Sequence, residues 1–303
     1  MKMNIKGIIV PLITPLTETG EIDQHGVDWL INFLIDKGIN GLLIGWTTGE
    51  GPLLSIQERF FLAETVVSAV NHRIPVIIHA GSITTLQTIQ LAQHADRTGA
   101  DGIAIIPPYF YRLQEEAIVA HYQAVIKSVP NLPVFLYNNP FVLANELNYS
   151  VTKRLSDDFN NVVGIKDSSG NLDFLKACNL LRNGDFITFM GNDKFILPAL
   201  SMGINGCVSG NANVVPEFFV DIFNAIQSQN IEKAKSLHRE IETLIPILGD
   251  GDISLFKQIL ELRGLPKSTT RAPLYPPSKN ISDESRKAFI AFANNKFELN
   301  PKA

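Results

Sequence analysis

Short apolar runs alternate with amphipathic helical stretches along most of the chain, returning roughly every 30 residues. Eight such runs can be read: Ile5–Ile13, Gly41–Trp46, Pro75–His79, Gly102–Ile106, Val134–Tyr137, Val162–Lys166, Phe186–Met190 and Gly206–Ser209. Nearly continuous apolar strands, each followed by a helix, are the pattern of a parallel sheet covered on its outer face. The helices between them carry their own signals. Asp23–Lys37 places Val27, Leu30, Ile31, Leu34 and Ile35 on one face and stops at Gly38. Ser55 and Glu58 form a capping box at the head of the next. Further helices are predicted over Thr85–Thr98, Glu115–Ser128, Tyr149–Leu155, Asn171–Leu181 and Val215–Ala225. Eight strand–helix units predict an α/β chain folded as a (β/α)8 TIM barrel over residues 1–230. The competing open, doubly wound sheet calls for a Gly-rich phosphate turn after its first strand, and Thr14-Pro15 stands there instead.

From Ile231 the rhythm changes. Helices over Glu232–Leu248, Ser254–Arg263 and Asp283–Asn294, with a Pro-rich segment at Pro273–Pro277, read as a C-terminal helical extension (231–303) packed on the barrel. Nothing in it suggests a second catalytic unit. A net charge of -4, with Lys and Arg scattered, speaks against nucleic acid or an anionic membrane as partner. Met1-Lys2-Met3-Asn4 shows no charged-then-apolar leader, and no apolar run nears the roughly 18 residues of a membrane span. Cys178 and Cys207 lack metal-ligand spacing and read as reduced core residues. A cytoplasmic protein is the expectation.

The sixth strand ends unusually: Val162-Val163-Gly164-Ile165-Lys166, then the polar turn Asp167-Ser168-Ser169-Gly170. Desolvation disfavours a buried ammonium, and a lysine so placed is a candidate nucleophile able to form a Schiff base with a carbonyl compound. The alternative is a lysine that snorkels to water or pairs with Asp167. The barrel weighs on this choice, because catalytic groups of such barrels sit at the strand C-termini. Thr14, Thr47, Thr48, His79, Tyr109, Tyr137, Lys166, Asn192, Asp193 and Ser209 all fall at that end. Tyr137 closes the strand next to Lys166, where a phenol can shuttle protons to a substrate held on the amine. Thr47-Thr48-Gly49 offers hydroxyls and turn N–H groups to a carboxylate.

Three motifs in order, Thr47-Thr48-Gly49-Glu50, Tyr137-Asn138-Asn139-Pro140 and Gly164-Ile165-Lys166-Asp167-Ser168-Ser169-Gly170, resemble those of the pyruvate-dependent class I aldolases. That family includes dihydrodipicolinate synthase, N-acetylneuraminate lyase and the 2-keto-3-deoxygluconate aldolases, and the likeness runs over nearly the whole chain. The resemblance implies a Lys166–pyruvate imine with no other cofactor and no metal, Tyr137 as acid/base, and Thr47 linking Tyr137 into a hydroxyl relay. It further implies carboxylate binding by Thr48 and neighbouring N–H groups such as that of Gly49, a backbone carbonyl near Val208 facing substrate, and a homotetramer.

Three positions depart from the synthases of that family. Val142 stands where they carry an arginine for the second substrate's carboxylate, Phe110 where they carry a second tyrosine, and Trp46 where they carry a glycine. The Phe110 assignment is open by one residue, since Tyr109 and Tyr111 flank it. All three touch the partner of pyruvate and none the pyruvate machinery. The expected function is therefore an aldolase or lyase acting on a 2-keto-3-deoxy sugar acid or related 2-oxo acid, or a dehydratase on such a substrate. The synthase reaction with aspartate semialdehyde is the alternative within the family, and a non-catalytic sugar-acid-binding protein the alternative outside enzymes. A metal-dependent aldolase needs His and carboxylate ligands at the mouth, where His79 is the only strand-end histidine. His79 reads as a core residue, Glu50 as a buttress of its loop, and Asn192-Asp193 as either a polyol contact or a helix cap.

Overall fold

In the computed structural model, which describes residues 5–294 and 296–300, eight parallel strands close on themselves in chain order. They are β1 (Gly7–Pro11), β2 (Gly41–Ile44), β3 (Val76–His79), β4 (Gly102–Ile105), β5 (Val134–Asn138), β6 (Val162–Asp167), β7 (Ile187–Met190) and β8 (Gly206–Val208). Met1–Asn4 and residues 301–303 of the extension lie outside the described residues. The helices behind the strands are α1 (Gln24–Asp36), α2 (Ile56–Val70), α3 (Thr85–Thr98), α4 (Glu115–Ser128), α5 (Tyr149–Asp158), α6 (Leu172–Asn179), α7 (Ile196–Ser201) and α8 (Pro216–Gln227). The extension adds α9 (Ile231–Ile247), α10 (Ile253–Glu261) and α11 (Lys279–Ala293).

Strand residues alternate between two cores, as a period of two requires. Ile8, Val10, Leu42, Ile44, Val134 and Leu136 face the helices; Ile9, Leu43, Phe135, Tyr137, Phe189 and Val208 fill the barrel interior. The capping box at α2 forms as read, with Ser55 N–H donating to Glu58 Oε2 at 2.7 Å and Glu58 N–H to Ser55 Oγ at 3.2 Å. β1 is shorter than the apolar run suggests. Its exit is taken over by loop partners: Ile13 N–H donates to Asn213 Oδ1 (3.1 Å) and Thr14 Oγ1 to the Gly49 carbonyl (2.7 Å). α7 has no counterpart in the sequence reading, because six residues with a proline inside are too short to show a helical period.

One irregularity positions everything that follows. Val134 pairs with Val162 but Phe135 pairs with Gly164, so β6 carries one extra residue, Val163, against β5. Val162 faces the helices and Val163 the interior; simple alternation would then send Lys166 outward. The bulge resets the phase, so that Ile165 faces the helices and Lys166 turns inward, the re-aiming that bulges provide. Gly164 makes this possible, since a Cβ there would lie 2.3 Å from the Ile187 carbonyl oxygen and 2.7 Å from the Phe135 ring.

Candidate active site

The strand C-termini and the extension enclose a cavity of about 400 Å³ with Lys166 and Tyr137 in its wall. The two are register partners across β5 and β6. Lys166 is 6% exposed, with Nζ 4.1 Å from the centroid of the Tyr137 ring and 5.2 Å from that of Trp46. Asp167 does not pair with it. Its carboxylate points to the other face of the strand, where it accepts from Asn138 Nδ2 (2.7 Å) and Ser169 Oγ (2.5 Å), and burial pushes its pKa up despite those bonds. Room for the lysine comes from the residue after β7: a Cβ on Gly191 would sit 2.3 Å from Lys166 Cε and 2.4 Å from Ser168 Oγ.

The Tyr137 phenol is buried, which by itself would raise its pKa. The Lys166 charge and hydrogen bonds from the Thr47, Asn139 and Lys166 side chains outweigh burial and hold it below the ordinary phenol range. Asn139 Nδ2 donates to the hydroxyl at 2.8 Å. A phenol with a lowered pKa next to an amine is suited to taking and returning a proton.

Thr47 and Thr48 reach the cavity wall on the turn after β2, and Val208 reaches it from β8. Gly49 does not line the cavity. It packs against β1, where a Cβ would meet the Leu12 carbonyl oxygen at 2.6 Å, and so lets the turn fold close to the barrel. Among the described residues neither the Thr48 nor the Gly49 N–H has an acceptor, as an anion-binding turn requires. Glu50 is buried and bonded to the extension, in keeping with a buttress.

Several wall residues were not singled out from the sequence: Ser168, Asn139, Gly191, Lys194 and, from the extension, Ile245, Asp250, Gly251 and Phe256. Ser168 and Asn139 stand inside recognised motifs, whereas the extension residues gave no signal, since an amphipathic helix does not announce what its apolar face covers. Four polar atoms on wall residues, Ser168 Oγ, Asn139 Oδ1, Asn211 Oδ1 and Trp46 Nε1, are buried without a hydrogen-bond partner. Unpaired buried polar groups are costly, and their gathering on one cavity fits a site that completes its bonds with a polar ligand.

Asn192 lines the cavity, and its Oδ1 caps the short 3-10 turn Asp193–Phe195. Asp193 also lines it, accepts at 2.7 Å from both Ser209 Oγ and Asn211 Nδ2, and has its carboxyl pKa raised by burial. Trp46 is buried inside the barrel, its ring centroid 4.0 Å from that of Tyr137 and 4.8 Å from that of His79. His79 is a core histidine behind it, with Nδ1 3.2 Å from the Gly45 carbonyl and its pKa held well below the ordinary value by burial and by Arg59. Phe110, Tyr111, Phe141 and Val142 are exposed at the rim, and Tyr109 packs on the interior core. No group of three or more His, Cys, Asp or Glu among the described residues is placed to hold a metal ion, and no described helix is long and apolar enough to cross a membrane.

The sequence matches the dihydrodipicolinate synthetase family over residues 4–291. The chain belongs to that family. It is 36% identical to an uncharacterized DapA-like lyase of Pyrococcus horikoshii over 275 residues, 89% of this chain and 94% of that one. It is 33% identical to 4-hydroxy-tetrahydrodipicolinate synthase 1 of Halalkalibacterium halodurans over 298 residues, 98% of this chain and 99% of the other. Among solved structures, YagE, a prophage protein of the same family from E. coli K12 in complex with pyruvate, superposes with a TM-score of 0.90 at 29% identity, covering 95% of this chain and 98% of YagE. As a family member the protein is a pyruvate-dependent aldolase of the carbon–carbon lyase class.

Proposed function

We propose that the protein cleaves or forms the C3–C4 bond of a 2-keto-3-deoxy sugar acid, or a related 2-oxo acid, through an imine on Lys166. The observation that carries this is the Lys166 amine beside the Tyr137 phenol at one end of the cavity. In the cleavage direction Nζ adds to C2, the carbinolamine loses water, and the protonated imine withdraws electrons from C3. Tyr137, as phenolate, takes the proton of the C4 hydroxyl. The C3–C4 bond breaks, an aldehyde leaves and an enamine remains. Tyr137 returns its proton to C3, and water releases pyruvate from Lys166. Thr47 donates to the phenol, keeping the proton on a relay, while Thr48 and the N–H groups of Thr48 and Gly49 hold the substrate carboxylate. The imine is the only covalent carrier in this scheme, which calls for no other cofactor and no metal.

The polar lining of the cavity supports a hydroxylated substrate. Asn192, Asp193, Asn211 and Ser168 contribute polar side chains to its wall, and Val142, exposed at the rim, offers no cation in the place of the synthases' arginine. The synthase reaction on aspartate semialdehyde remains the second reading, favoured by the names of the synthase relatives. A non-catalytic sugar-acid-binding protein would bind the same ligands and turn none over. The exposed Phe110, Tyr111, Phe141 and Val142 support assembly with further copies, and a cytoplasmic homotetramer is the form we propose.

Borohydride reduction in the presence of pyruvate tests the imine: an adduct mass on the peptide carrying Lys166 is expected, and its absence would sink the scheme. Pyruvate release from a panel of 2-keto-3-deoxy acids, set against condensation with aspartate semialdehyde, then separates the readings.

A further inference from the structure

We infer that the buried Glu50–Lys257 ion pair is a positioning device for the carboxylate-binding turn, so that a side chain of the extension sets the protein's affinity for its 2-oxo acid. This rests on the function proposed above.

Glu50 closes the turn that carries Thr47 and Thr48, its N–H donating to the Thr47 carbonyl at 3.1 Å. It does so at φ 58°, a left-handed conformation that a residue with a side chain adopts only when its surroundings hold it there. The holding groups all come from the extension. Lys257 Nζ, on α10, donates to Glu50 Oε1 at 2.5 Å, and the Arg271 N–H donates to Oε2 at 2.7 Å. Lys257 also donates to the Thr269 carbonyl at 2.5 Å, and Arg271 Nη2 reaches Glu58 Oε1 at the head of α2 at 2.6 Å. Glu50 and Lys257 are 1% and 0% exposed.

A pair this deeply buried adds little net stability, because the cost of taking both charges from water offsets their attraction. Its geometry is another matter. A carboxylate bonded on both oxygens has one position, and the turn built on its backbone inherits that position. The same helix also borders the cavity that the turn lines. Phe256, next to Lys257, lines the cavity, and its ring and the Thr48 side chain both lie against Gly210, at 3.3 Å from where a Cβ would stand. The extension thus holds the turn that carries Thr48 through the ion pair to Glu50 and borders the same cavity through Phe256, although it contributes none of the reacting groups.

The test compares wild type with Lys257→Met and with the double variant Glu50→Gln, Lys257→Met. The single variant leaves Glu50 buried without its cation and loses stability on that account; the double variant removes both charges, with the glutamine oxygen still available to the Arg271 N–H. Pyruvate is titrated and borohydride adduct on Lys166 is read by mass, beside thermal melting. In both variants the pyruvate concentration for half-maximal trapping is expected to rise about 10- to 100-fold, the effect of misplacing one or two donors to a carboxylate. The yield at saturating pyruvate is expected to stay near wild type, because Lys166 and Tyr137 are untouched. A double variant that regains both its melting temperature and its wild-type pyruvate response overturns the inference, leaving the pair a purely structural one. That comparison also decides the matter if Lys257→Met alone does not fold. If wild type itself traps no pyruvate, the reading of Lys166 fails, and pyruvate binding by calorimetry in the same proteins still shows whether the pair governs affinity.

Discussion

The Nζ of Lys166 stands 4.1 Å from the centre of the Tyr137 ring, and the two residues are paired across adjacent parallel strands. The backbone hydrogen bonds of the ladder, and not loops, set the spacing of the two positions from which these side chains project. Groups that exchange a proton through a substrate need that fixity.

Replacing Tyr137 by Phe keeps the ring that packs on Trp46 and removes only the hydroxyl. Turnover is expected to fall by about 10²- to 10⁴-fold, the usual worth of a positioned acid/base. Borohydride should still trap pyruvate on Lys166, because the amine and its cavity remain. Steady-state kinetics and adduct mass together check this; unchanged turnover would remove Tyr137 from the mechanism.

The pH profile reports on Thr47. Its hydrogen bond is one of the influences that lower the Tyr137 phenol, after the opposing effect of burial and the larger effect of the Lys166 charge. Thr47→Val therefore raises the phenol relative to wild type. Cleavage uses the phenolate as base, so the rising limb of kcat against pH should move to higher pH. A limb that stays in place or moves to lower pH contradicts the relay.

Much of this arrangement could be read from residue order, and the parts that could not have physical reasons. Strand ends were legible because apolar runs stop at polar or Gly-rich exits, which placed Thr47, Tyr137 and Lys166 at one mouth. The phase of Lys166 was not. Val162-Val163-Gly164-Ile165 reads as one apolar run, and only the register against Phe135 reveals the bulge that turns the lysine inward. The role of α10 was equally hidden, since Phe256 and Lys257 look like one apolar and one solvated helix position until the fold brings Glu50 to them. Gly49 is legible for its N–H, and its second contribution could not be read: its lack of a side chain lets the turn pack against the exit of β1.

Gly191 gives a steric prediction. A methyl group there would overlap Lys166 Cε and Ser168 Oγ, forcing both side chains out of their present positions on the cavity wall. Gly191→Ala should abolish or strongly slow pyruvate trapping while leaving circular dichroism unchanged. Full trapping in a folded Gly191→Ala protein would mean that the lysine has more freedom than its packing indicates.

Trp46 offers an optical readout. The chain has two tryptophans, and Trp29 lies on α1 stacked against Phe33, away from the cavity. Trp46 faces the Lys166 ammonium at 5.2 Å, so covalent capture of pyruvate changes the charge and contacts beside its indole. Pyruvate should alter intrinsic fluorescence in a saturable way in wild type and in Trp29→Phe, and not in Trp46→Phe. A response surviving in Trp46→Phe would place the binding event elsewhere.

Stability at low pH turns on buried histidines. His121 sits on α4, 4% exposed, with Nδ1 2.9 Å from Thr85 Oγ1, and burial pulls its pKa down from 6.5 to about 4. The folded chain therefore binds this proton less readily than the unfolded chain. Its contribution is fully present above pH 6.5, where both states are neutral, and is lost as pH falls through the window down to about 4. The loss from this one group approaches about 3 kcal/mol at the acid end of the window. His79, held low by burial and by Arg59, acts in the same direction and extends the loss to lower pH. Urea unfolding between neutral pH and pH 4 should show wild type weakening steadily, and His121→Gln, which keeps a polar group near Thr85 but cannot take up the proton, weakening less. Equal slopes for the two proteins would mean that His121 is solvated well enough to titrate without unfolding its helix.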